Sequence, residues 1–84
     1  PVISTTLMRI AEFKVTSGAA MEEGDTVYTN TAFPLAALYP VVFADGIRQQ
    51  YVTGNGRSIS YNQATQTLTF SDPVFEGEII AIYA

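Results

Sequence analysis

The amino-acid sequence predicts an all-β fold, an antiparallel sandwich or small barrel of about six to seven short strands. Apolar and polar residues alternate with period two along much of the chain, and turn-forming clusters interrupt that alternation about every 8 to 12 residues. The size and composition, 84 residues with 48% hydrophobic and 14% charged content, hold one folded domain spanning 1–84.

Residues 3–16 alternate. Ile3, Thr5, Leu7, Arg9, Ala11, Phe13 and Val15 share one face, and Arg9, with Met8 and Ile10 opposite, breaks the pattern. This is one long strand, or two strands meeting at a bulge, with residues 1–6 read as an extended arm. Ser17-Gly18-Ala19-Ala20 and Glu22-Glu23-Gly24-Asp25 form a loop. Thr26 to Phe33 reads as a strand with Val27, Thr29, Thr31 and Phe33 on one side. Pro34 and Pro40 limit the stretch between them to about one helical turn.

Asp45-Gly46 between apolar runs is the strongest hairpin signal, because both central residues of a type I′ turn need positive φ. Ile47, Gln49 and Tyr51 then alternate with Arg48, Gln50 and Val52 up to Gly54-Asn55-Gly56, a second expected hairpin turn. Ile59 and Tyr61 alternate with Ser58 and Ser60, Asn62 to Gln66 turns again, and Leu68 and Phe70 alternate with threonines and Ser71. Asp72-Pro73 and Glu76-Gly77 mark the last corner before Glu78 to Ala84.

A chain this small buries only about two thirds of its unfolded surface. It has neither cysteine nor histidine, so neither a disulfide nor a structural zinc of the usual kind supports it, and assembly with other subunits is expected. The missing cysteine fits a reducing compartment. Four Lys and Arg against eight Asp and Glu give a net charge of −4. Arg9, Lys14, Arg48 and Arg57 are scattered, which argues against a nucleic-acid partner. No apolar run approaches the ~20 residues of a membrane-spanning helix, so no membrane partner is expected. Pro1-Val2-Ile3-Ser4 is not a basic and then apolar leader, and Pro1 is compatible with removal of an initiator methionine or of a leader.

Catalysis fails on inventory. Without His and Cys, the commonest general base, the thiolate nucleophile and the usual transition-metal ligands are missing together. Lys14, the only lysine, sits where an outward polar strand residue is expected, and Glu76 and Glu78 are separated by Gly77, which reads as a corner. No cofactor, metal or catalytic residue is therefore assigned. Glu22, Glu23 and Asp25 with Asn30 form one acidic cluster, read as a solvated loop rather than a calcium site, which needs about six to eight oxygens. Gly54-Asn55-Gly56-Arg57 opens a strand and not a helix, so it lacks the helix N-terminus of a phosphate loop. Tyr28, Tyr39, Tyr51, Tyr61 and Tyr83 are open to sheet packing, a subunit interface or sugar contact, with Tyr28, Tyr51 and Tyr61 the candidates for a glycan platform.

The last strand is apolar on both faces through Ile79, Ile80, Ala81, Ile82 and Tyr83. It is therefore central, or covered by something else, either the 34–40 loop or another subunit. Ile79 and Tyr83 are the expected subunit contacts, with Val2 and Ile3 adding an arm to a neighbour by strand addition.

Tyr39-Pro40-Val41-Val42-Phe43-Ala44-Asp45-Gly46-Ile47-Arg48-Gln49, Tyr51-Val52-Thr53-Gly54, Ile59-Ser60-Tyr61, Leu68-Thr69-Phe70 and Gly77-Glu78-Ile79-Ile80-Ala81-Ile82-Tyr83 resemble a recurring all-β module of tailed-bacteriophage virion proteins, found in tail-fibre attachment regions and capsid-associated proteins. The resemblance spans residues 39–83 and departs from the module at Asp72-Pro73-Val74-Phe75-Glu76-Gly77, where a Pro-Pro-Ala-Gly corner is usual. It implies a non-enzymatic virion protein, assembled in the host cytoplasm. The leading expectation is an auxiliary capsid or decoration protein that binds the major capsid protein or another virion protein as a homo-oligomer. A tail or tail-fibre attachment component and a small glycan- or receptor-binding module are the alternatives.

Overall fold

The computed structural model describes residues 7–51 and 56–84. Among these residues, seven strands form two antiparallel sheets: β1 (Arg9–Lys14), β2 (Val27–Thr29), β3 (Val41–Ala44), β4 (Ile47–Arg48), β5 (Ile59–Asn62), β6 (Thr67–Phe70) and β7 (Ile79–Tyr83). One sheet has the order β1-β7-β3-β4 and the other β2-β6-β5. They face each other across a common core, to which the first contributes Val42, Ala44, Ile80 and Ile82 and the second Tyr28, Ile59, Leu68 and Phe70. The all-β sandwich expected from alternation is the fold observed.

The irregularity at the amino end is a bulge. β1 pairs with β7 with a register shift between Arg9 and Ala11. The extra residue reverses the phase of the strand. Ala11 and Phe13 then lie over Ile82 and Ile80 on the inner face, while Arg9, Glu12 and Lys14 lie beside Tyr83, Ala81 and Ile79 on the outer one. Without it, Arg9 would share the inward face of Phe13. The arm 1–6, with Val2 and Ile3, lies outside the described residues.

Two expectations are corrected. The strand expected over 26–33 spans only Val27–Thr29, and its inward residue is Tyr28 (7% exposed), with Val27 half exposed. It ends where the Asn30 side-chain oxygen accepts the Ala32 N–H, an Asx turn that competes with the ladder. The stretch between Pro34 and Pro40 makes a single turn, closed by the Ala37 N–H donating to the Pro34 carbonyl (3.0 Å), within the one-turn limit the two prolines set. The strands expected to flank a hairpin at 54–56 lie in different sheets, and Gln50 and Ser58 meet in a parallel bridge. Of that turn, Gly54 and Asn55 lie outside the described residues.

The Asp45-Gly46 hairpin forms as expected, with φ of 52° and 81°. Its carboxylate also extends the sheet. The Ile79 N–H donates to Asp45 Oδ1 (2.9 Å), and the Asp45 N–H donates to the Ile79 carbonyl (2.8 Å). β7 is central, between β1 and β3, which is one of the two situations its apolar character allowed. Asp45→Ala should cost about 2 kcal/mol in urea unfolding, since it loses a hydrogen bond and strains a left-handed position. Asp45→Asn, which keeps an acceptor and suits the turn, should stay within about 0.5 kcal/mol of wild type.

Candidate functional site

The most constrained polar group in the structure is Arg57, which enters β5 from the connection between the sheets. Its Nε donates to Gln49 Oε1 (3.0 Å), and Nη1 donates to Glu78 Oε1 (3.0 Å) and to the Pro73 carbonyl (3.4 Å). Nη2 donates to Glu78 Oε2. The guanidinium also lies 5.0 Å from the Phe70 ring centroid and 5.7 Å from that of Phe75. The side chains of Arg57 and Glu78 are only 11% and 4% exposed. Glu78 Oε1 additionally accepts the Phe75 N–H (3.1 Å). One ion pair thus joins the segment after β4, the start of β5 and the β6–β7 connection. Its bidentate geometry and neutral hydrogen bonds offset the desolvation of both charges.

The sequence points elsewhere for these residues. Arg57 is one of four scattered cations, and Glu78 is half of a candidate acid pair. The structure separates that pair: Gly77 adopts φ of 88°, Glu76 is exposed and accepts from the Thr16 hydroxyl (3.1 Å), and Glu78 turns inward. A polar residue opening an otherwise apolar strand is the only signal that could have singled out Glu78.

Beside the pair lies an open cleft of about 300 Å³, lined by Asp45, Ile47, Gln49, Arg57, Phe75 and Glu78 among others. Ile47 pairs with Ala44 at the end of the sheet, yet it is 70% exposed, and Phe75 is 63% exposed. Two large apolar side chains therefore rim a charged floor.

The second candidate surface is the outer face of the β1-β7-β3-β4 sheet. Cross-strand partners share a face in an antiparallel pair. The register places Ile79, Ala81 and Tyr83 of β7 beside Val41 and Phe43 of β3. Arg9, Glu12 and Lys14 flank them on one side and Arg48 on the other. Tyr83 packs edge-on against Phe43, with centroids 6.1 Å apart. Ile79 is 41% exposed, so the 34–40 loop does not cover it. That loop is tied instead to the β5–β6 turn, where Gln63 Nε2 donates to the Leu35 carbonyl (2.8 Å) and Gln66 Nε2 to that of Phe33 (2.7 Å).

The three tyrosines considered for sugar contact do not form an outward platform. Tyr28 is buried and stacks on Phe13 with centroids 5.5 Å apart, and Tyr61 packs on Phe33 at 4.9 Å. The Tyr61 hydroxyl is buried without a hydrogen-bond partner among the described residues, and burial raises its pKa. Tyr51 donates its hydroxyl to the Pro40 carbonyl. Burial pushes its pKa up to about 12 against an opposing pull from Arg48.

In the acidic loop, Glu22 accepts the Gly18 N–H (2.7 Å) and Asp25 accepts the Glu22 N–H (2.9 Å). Asn30 Nδ2 donates to the Tyr28 hydroxyl. Among the described residues no group of three or more Asp or Glu is placed to hold a metal ion, and no helix is long and apolar enough to cross a membrane. No family model, curated protein or solved structure matches this chain.

Glu78→Leu alone should cost about 3–5 kcal/mol in urea unfolding because it strands a buried guanidinium, and adding Arg57→Met should recover most of that loss. The Tyr51 pKa is higher folded than unfolded, so the stability it confers is complete below about pH 10 and is lost as pH rises through about 12. The stability margin of wild type over Tyr51→Phe should therefore narrow between pH 9 and pH 11.5 in parallel unfolding curves.

Proposed function

We propose that this chain is a non-enzymatic virion structural protein, an auxiliary capsid or decoration protein that docks on the phage shell as a homo-oligomer. The observation that carries the proposal is the outer face of the β1-β7-β3-β4 sheet. There an apolar stripe of Ile79, Ala81, Tyr83, Val41 and Phe43 runs between charged margins. An apolar centre with a polar rim is the anatomy of a protein–protein contact. The resemblance of residues 39–83 to phage virion modules supplies the setting. The small core and the absence of His and Cys from the sequence favour a role in assembly over turnover.

In this reading Ile79 and Tyr83 touch the neighbouring subunit. Both project away from the core, and Ile80 and Ile82 between and beside them supply the burial that holds β7 in place. The partners are further copies of the chain and the major capsid protein. Strand addition by the arm carrying Val2 and Ile3 belongs to the same proposal.

Light scattering over a dilution series should give a mass above that of the monomer, and the protein should co-sediment with empty capsid shells. Ile79→Ser with Tyr83→Ala should weaken assembly and shell binding at least about tenfold while lowering stability by less than about 2 kcal/mol. A monomeric wild type that ignores shells, or a double variant that assembles normally, would refute the assignment.

A further inference from the structure

We propose that the cleft between Ile47 and Phe75 receives a basic side chain, an arginine or lysine, from the protein on which this chain docks. The inference rests on the docking role proposed above and names the chemistry of the partner. At about 300 Å³ the cleft is at the lower end of small-molecule pockets. It is open to solvent and suits one inserted side chain.

The charge balance decides the sign of the occupant. Two carboxylates, Asp45 and Glu78, face one guanidinium, Arg57, so the lining carries one net negative charge. Arg57 is not free to receive an anion. Four of its five N–H groups already donate, to Gln49, the Pro73 carbonyl and both oxygens of Glu78. An acidic partner would have to break that buried pair.

Asp45 is different. Its Oδ1 accepts the Ile79 N–H, and no hydrogen bond to Oδ2 occurs among the described residues, so one carboxylate oxygen remains for a cation. The walls match the rest of a long basic side chain. Ile47 and the exposed part of Phe75 offer apolar surface to a methylene stem. The net charge of −4 draws basic partners toward the chain at long range. The Ile79 N–H that donates to Asp45 ties the rim of the cleft to the start of β7.

The test uses the full chain, isotopically labelled, titrated with n-butylguanidinium and with its neutral analogue n-butylurea. Saturable shifts should appear at the amides of Asp45, Ile47 and Phe75, with the cation preferred by about two- to five-fold, within the range one exposed charge pair supplies. Asp45→Asn keeps the turn and the acceptor for Ile79 and should abolish the preference. Equal binding of both probes, no saturable shift, or an unchanged preference in Asp45→Asn overturns the proposal.

Shell co-sedimentation separates this inference from the docking role. If Ile79→Ser with Tyr83→Ala loses shells while Asp45→Asn and Phe75→Ser retain them, the cleft assignment fails and docking stands. If wild type ignores shells but prefers butylguanidinium at the cleft, docking fails and the cationic specificity of the cleft is supported.

Discussion

The Arg57–Glu78 pair is the constraint around which the two sheets are arranged. Four connections cross between the sheets, after β1, β2, β4 and β6, and the pair lies where two of them converge. Gln49 comes from the segment leaving β4, Arg57 from the segment entering β5, and Pro73, Phe75 and Glu78 from the return to β7. Neither charge could remain in this site without the other, because an uncompensated buried ion costs several kcal/mol. Hydrophobic packing alone is non-directional. A bidentate pair with fixed acceptors specifies how the crossings meet.

Central placement of β7 follows from the same corner. Once Glu78 is drawn inward, Ile79 leaves on the outer face, and Ile80 and Ile82 fall into the core. The strand then satisfies both of its edges, pairing with β1 and β3. Its remaining apolar residues face outward beside Val41 and Phe43. The surface proposed for assembly is thus a by-product of the strand's position, and the cleft is a by-product of the pair beneath it. The opposite sheet presents a different exterior: Thr29 and Thr67 bond through their hydroxyls at 2.9 Å, with Thr69 and Ser60 paired beside them.

Local signals were legible wherever a few neighbouring residues set the conformation. Asp45-Gly46 forms its turn because both residues adopt positive φ, and Leu68 and Phe70 point inward as alternation requires. Disruption of the pattern by Arg9 was equally informative, since an inward arginine is costly and the bulge removes it from the core. Tyr28 misled because its inward direction depends on pairing with Leu68 across the sheet, and threonine-rich alternation fits either face. The site was less legible than the fold. Ile79 and Tyr83, the contacts proposed for assembly, stand out by their apolar strand, but Arg57 and Glu78 are 21 positions apart and nothing local to either announces the other.

The sequence by itself determined the class of fold, most of the strand positions, the two hairpins at Asp45-Gly46 and Asn62 to Gln66, and the lack of His and Cys that removes the commonest catalytic groups. These depend on periodicity, turn preference and composition, which act over a few residues. Tertiary structure alone decided which strands pair, which sheet each enters, and which charges are buried together. Those outcomes depend on contacts between distant segments, where a guanidinium and a carboxylate become partners only after the chain has crossed between sheets and water has been excluded.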